Sequence, residues 1–128
     1  MLPGVAGVRT RVAHSSAGGM NALRKSISQR LQELGVEERA WPGRDNGFAS
    51  LVFRGKEFAH FHNDCEIDIR LGRDVIRRER LSHPADSTVH PDRAGSSPWY
   101  EMKLRTAADV NEALRLVRIA IQAIGAKA

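Results

Sequence analysis

The stretch Phe58-Ala59-His60-Phe61-His62-Asn63-Asp64-Cys65-Glu66-Ile67-Asp68-Ile69-Arg70-Leu71 alternates polar and apolar side chains on either side of a short polar break. Period-two alternation marks a half-buried strand, and two such runs around a turn read as an antiparallel hairpin. Residues opposite each other in such a pair point to the same side of the sheet, so the parity of the turn decides which side chains share a face. A two-residue turn at Asn63-Asp64 sets His62 against Cys65 and His60 against Ile67, mixing polar and apolar on both faces. A three-residue turn, Asn63-Asp64-Cys65, sets His62 against Glu66, His60 against Asp68, Phe61 against Ile67 and Ala59 against Ile69. The second register segregates the faces and is the one expected, with Cys65 in the left-handed position that usually takes Gly.

Upstream, Arg54-Gly55-Lys56-Glu57 reads as a type II′ turn with Gly first in the centre. It pairs Phe53 with Phe58, Val52 with Ala59 and Leu51 with His60. The face carrying His60, His62, Glu66, Asp68 and Arg70 then also holds Leu51, Phe53 and Phe58. Half apolar and half ionisable, it has the character of a shallow ligand or partner surface, although ordinary cross-strand packing gives the same pattern.

Outward from the hairpins, residues 1–19 are rich in Gly, Ser and small side chains and are expected to form a flexible tail ahead of a single domain over 20–126. Asn21 is placed to cap a helix with Leu23, Ile27, Leu31 and Leu34 on its apolar side and Gly35 beyond its end. Residues 41–47 form a connecting loop. Strands are expected at 48–54, 57–62 and 66–71, then a short helix over 73–81. Residues 82–98 contain three prolines and no periodicity, the length at which a loop is usually functional or disordered. Trp99 to Arg105 alternates again, with Tyr100, Met102 and Leu104 on one side and Trp99, Glu101, Lys103 and Arg105 on the other. Thr106 and Asp109 then open a helix repeating Val110, Leu114, Val117, Ile121 and Ile124. This order predicts an α+β fold, a mainly antiparallel four-stranded sheet with helices packed on one face and the other face open.

A chain of 128 residues with 41% apolar composition supports one ordinary core and not two. No apolar run approaches the length of a membrane span and the N-terminus lacks the order of a signal peptide, so a soluble, cytoplasmic protein without a membrane partner is expected. One cysteine, Cys65, excludes an internal disulfide and a multi-thiolate zinc site within the chain. The formal charge of +5 and pI near 10.1 make it a basic protein. The excess is spread out, +3 over residues 1–47 and +1 in each of 48–83 and 84–128, so it makes no concentrated anion-binding patch. The densest basic run, Arg73, Arg77, Arg78 and Arg80, is interleaved with Asp74 and Glu79 and reads as a solvated helix face before a phosphate contact.

Chemistry concentrates on the open face. His60 and His62, two apart on a strand, can face one metal ion, with Glu66 or Asp68 supplying oxygen ligands across the hairpin. A histidine opposite a carboxylate is also an ordinary charge pair that orients an imidazole. The loop with His90, Asp92 and Arg93 can serve as a lid if it folds over the sheet, while His83 and His90, each before Pro, equally suit turn roles. Nucleophile-elbow, phosphate-cradling and dinucleotide motifs are absent.

The elements Gly55-Lys56-Glu57-Phe58-Ala59-His60-Phe61-His62, Asp68-Ile69-Arg70-Leu71, Val89-His90-Pro91-Asp92-Arg93 and Ser97-Pro98-Trp99-Tyr100-Glu101-Met102, with the final helix, resemble the small bacterial luciferase-domain proteins over roughly residues 48–124. The resemblance implies Gly in many relatives where this chain has Cys65. It brings no reaction, cofactor or catalytic residue, and these short chains are unlike the large flavin-dependent luciferase barrels. The expectation is therefore a small molecule or protein partner bound by His60, His62, Glu66, Asp68, His90, Arg93 and Trp99. Two alternatives use the same face: a nucleic-acid module stacking bases on Phe53, Phe58 and Trp99, and a homodimer burying the half-apolar surface.

Overall fold

The computed structural model describes residues 16–41, 43, 46–87 and 89–127. Its elements in chain order are α1 (Ser16–Glu33), β1 (Glu37–Ala40), β2 (Ala49–Phe53), β3 (Lys56–Asn63), β4 (Glu66–Arg70), α2 (Arg73–Arg78), β5 (Trp99–Lys103) and α3 (Ala107–Lys127). The strands form one sheet in the order β1-β2-β3-β4-β5, every neighbouring pair antiparallel. The fold is α+β as expected, with five strands rather than four. The added strand, β1, is Glu-Glu-Arg-Ala, exposed throughout and without alternation; it is held by backbone pairing to β2, which leaves no side-chain pattern to read.

Residues 1–15 of the expected tail lie outside the described residues. Helix α1 begins at Ser16, upstream of the expected cap Asn21, so Gly18 and Gly19 lie within it. Its buried Ile27 and Leu31 pack with Val110, Ala113, Leu114, Leu116 and Val117 of α3 against Leu51, Ala59, Phe61, Ile67, Ile69 and Met102 of the sheet. Gly35, at φ +86, ends α1 in the left-handed region that favours glycine. At the other helix, Thr106 Oγ1 accepts from the Asp109 N–H at 3.2 Å while Asp109 Oδ2 accepts from the Thr106 N–H at 3.0 Å, the reciprocal cap the sequence predicts.

The β2–β3 hairpin differs from its expected register. Arg54 (φ 51) and Gly55 (φ 81) both take positive φ, so the turn centres on Arg54-Gly55, a type I′ arrangement, instead of Gly55-Lys56. Phe53 pairs with Lys56, Val52 with Glu57 and Leu51 with Ala59, and the register shift between Leu51 and Val52 leaves Phe58 as an extra residue in β3. The outcome exchanges the faces of β2. Leu51, Phe53 and Phe58 join the helix-side core, while Val52 lies outside that core with Ser50 and Trp41.

In the β3–β4 hairpin, Ala59↔Ile69, His60↔Asp68 and Phe61↔Ile67 pair as expected. Nearer the turn Asn63, not His62, pairs with Glu66, and the shift falls between Phe61 and Asn63. The tight turn is therefore Asp64-Cys65 with His62 as an extra residue, and Cys65 is not left-handed; the Asn63 side chain accepts from its N–H at 2.9 Å and fixes the bend. Moving the odd residue from the turn into the strand preserves parity beyond it.

Arg24, a buried cation on α1, anchors this turn from the helix side. Its guanidinium lies 3.7 Å from the centre of the Phe61 ring, donates to Gly47 O at 2.7 Å and pairs with Asp64 and Glu38 at 3.1 and 2.8 Å. Gly47 packs so closely on Asp64 that a side chain there would collide with the turn.

Candidate functional site

Asp68 sits at the centre of the sheet face away from the helices. Its carboxylate is 1% exposed, which demands a partner for its charge. Arg93 supplies one from the long loop, with Nη1 donating to Oδ1 at 2.7 Å and Nη2 to Oδ2 at 2.9 Å, a two-pronged match of fork to carboxylate. Three imidazoles then converge on Oδ2. The Nε2 atoms of His62, His90 and His60 lie 3.4, 3.6 and 3.7 Å from it, and those of His62 and His90 are 3.3 Å apart.

The loop places His90 and Arg93 by fastening itself to the sheet. Ser87 Oγ donates to the fully buried Glu101 at 2.9 Å and accepts from the His90 N–H at 2.9 Å. The His83 ring contacts the His90 carbonyl at 2.6 Å, so Nε2 carries the proton that is donated. Lys103 donates to Asp86 O and Arg105 pairs with the Asp86 carboxylate, tying down the loop's first half. The expected open face is thus covered over Asp68 and Glu101, two acidic residues that are direct cross-strand partners and recruit donors from the loop above them.

Aromatic rings wall the remaining opening. His60 stacks on Phe48 with centroids 5.7 Å apart and lies 5.1 Å from Trp99; Phe48 in turn meets Trp41, whose indole N–H donates to Ser50. The imidazole side chains stay reachable, between 14% and 35% exposed.

Burial, then the neighbouring His62, holds the His60 imidazole below its ordinary value of 6.5. His90 is lowered by burial and then by the Arg93 charge. Burial works against the Asp68 charge, yet the Arg93 fork and the His62 contact outweigh it and hold the carboxyl far below the usual range. The result is a permanent anion beside two imidazoles that prefer neutrality, hence available lone pairs.

Of the residues singled out in the sequence, His60, His62, Asp68, His90, Arg93 and Trp99 come together. Glu66 does not join the imidazoles: it is buried beside the turn, where the Asn63 amide donates to it at 2.7 Å. Phe53 and Phe58 lie in the core, so the stacking platform of the nucleic-acid reading is not built. The arginines of α2 follow the solvated reading, Arg77 facing Asp74 and Arg78 facing Glu79. The Cys65 thiol is pushed up by burial and by the Glu66 and Asp64 charges, the opposite of a nucleophile's environment. Phe48 and Trp41 went unread: with β2 in its true register Phe48 shares the face of Ser50 and His60, and strand parity would have found it.

Fold and site together define a meander-sheet α+β domain in which a loop straps an imidazole–carboxylate cluster onto the sheet. The chain belongs to the Luciferase domain family, whose model matches residues 55–120, just over half of its length. That span contains His60, His62, Asp68, His90 and Arg93. No curated protein and no solved structure matches the chain. No helix among the described residues is long and apolar enough to cross a membrane.

Proposed function

We propose that this domain binds a small organic molecule at the mouth of the cluster, with a planar body against Phe48 and Trp99 and a proton-bearing polar group at His60, His62 and His90. The observation that carries this reading is the convergence of three reachable imidazoles on one buried, arginine-held carboxylate. A structural ion pair needs Asp68 and Arg93 alone. The histidines add nothing to that pair's charge balance while neutral, but they can accept a proton from, or donate one to, a bound hydroxyl.

Within this reading Asp68 orients and polarises the imidazoles, and Arg93 keeps Asp68 ionised and holds the loop down. Trp99 and Phe48 supply apolar contact area for a flat ligand. The test is a thermal-shift screen of planar phenols, enols and heteroaromatic acids on the chelator-treated protein. A compound that raises the melting temperature of the unaltered chain should lose its effect in the His60→Ala/His62→Ala double variant, whose circular dichroism stays native. An undiminished shift in the double variant would refute the assignment.

A further inference from the structure

The spacing of the donors around Asp68 supports a more specific occupant, and the inference rests on the reading of this cluster as the functional site. We propose that Nε2 of His62 and His90 and Oδ2 of Asp68, with the His60 imidazole at their edge, form a site for a divalent transition-metal ion of the zinc type.

Donor separations separate a metal site from a hydrogen-bonded cluster. Charge-assisted hydrogen bonds between an imidazole and a carboxylate close to about 2.7–2.9 Å. Four tetrahedral ligands around zinc, with bonds of about 2.0–2.2 Å, stand about 3.3–3.6 Å apart. Asp68 Oδ2 lies 3.4, 3.6 and 3.7 Å from Nε2 of His62, His90 and His60, and the His62 and His90 Nε2 atoms are 3.3 Å apart, long for hydrogen bonds and matched, for the Asp68, His62 and His90 trio, to ligands sharing one ion. The His60, His62 and Asp68 donor atoms all lie within 4.8 Å of one another.

The surroundings fit a cation as well. Glu66, Asp68 and Glu101 are all buried, and Glu66 and Glu101 each keep one side-chain oxygen, Oε2, with no hydrogen-bond partner among the described residues. Glu101 is the cross-strand partner of Asp68. Arg93 offsets one of these charges through its fork on Asp68 and leaves the second lone pair of Oδ2 for an ion. Lys103 stands opposite Glu66 across the β4–β5 pair, and a divalent ion would tie the loop residue His90 to the strand residues His60 and His62. Three imidazoles and one carboxylate suit zinc and its neighbours and not magnesium or calcium, which prefer all-oxygen shells.

The experiment uses the full chain. Purified protein is stripped with chelator, dialysed against micromolar zinc and analysed for metal; a parallel sample receives cobalt(II) and its visible spectrum is recorded. Equimolar zinc and an intense cobalt band of tetrahedral type are expected. His62→Ala and His90→Ala, checked for native circular dichroism, should each lower zinc affinity by more than the roughly 10–100-fold that loss of an outer-shell partner costs. No zinc retained by the unaltered chain, or retention untouched by both substitutions, overturns the proposal. The organic-ligand screen above runs without metal, so failure to retain zinc overturns only the metal inference, and a screen without a shift that depends on His60 and His62 overturns only the small-molecule reading.

Discussion

On the helix side of the sheet, Phe61, Ile67 and Ile69 are removed from water by two amphipathic helices. On the opposite side, Asp68 of β4 and Glu101 of β5 are removed from water by a loop that contributes Ser87, His90 and Arg93. The first side is held by apolar area, which tolerates imprecision because it is non-directional. The second is held by a few directional contacts to charge, each of which leaves a buried carboxylate short of a partner if removed. The contrast divides the labour: one side carries stability, the other holds ionisable groups in a fixed arrangement.

The sharpest way to break this contrast is to excavate the helix side. Phe61→Ala should cost about 3–5 kcal/mol of unfolding free energy, the usual loss for a buried aromatic ring, read from urea denaturation. A loss below about 1 kcal/mol, the scale of a surface change, would mean that the helices contribute less than their burial implies. Smaller and more local is Ser87→Ala, which takes from Glu101 its hydroxyl donor. We expect about 1–3 kcal/mol, with faster hydrogen exchange confined to residues 82–98 and unaltered protection in β3 and β4. Uniformly faster exchange would show the two sides to be one cooperative unit.

The smallest effect concerns pH. His60 faces His62, Asp68, Glu57 and His90; His90 faces Arg93, Asp68, His62 and Glu101. Both imidazoles titrate below 6.5 in the folded state, so as pH falls the unfolded chain takes up these protons first. Stability from this pair is complete above about pH 6.5 and declines as pH drops through the folded-state values. Urea midpoints of chelator-treated protein at pH 7.5 and 5.5 should show the decline, and His90→Gln should reduce it. Equal midpoints at the two pH values would contradict the assignment.

The cluster was legible wherever strand parity alone decided the outcome. His60 and Asp68 share a face because the number of residues between them is fixed, whether the extra one sits in the turn or at His62. The β2–β3 register was not legible, since Gly55 marks a turn without saying which central position it fills, and Arg54 gives no sign that it adopts a positive φ. That one-residue slip moved Leu51, Phe53 and Phe58 to the wrong side and hid Phe48. Strand β1 was unreadable because pairing held it and burial did not. The loop's closure depends on contacts far apart in sequence, Ser87 with Glu101 and Arg93 with Asp68, which no local pattern encodes.

The exposed outer strand has a consequence for how copies of this chain meet. A sheet's free rim offers unpaired amide and carbonyl groups on which another chain can zip, and one of the two edge strands here is β1, four residues long with Glu37, Glu38 and Arg39 in sequence. An incoming strand would have to lay itself along a row of charged side chains with too little length to grip, so growth of the sheet from molecule to molecule through this rim is discouraged at crowded concentrations.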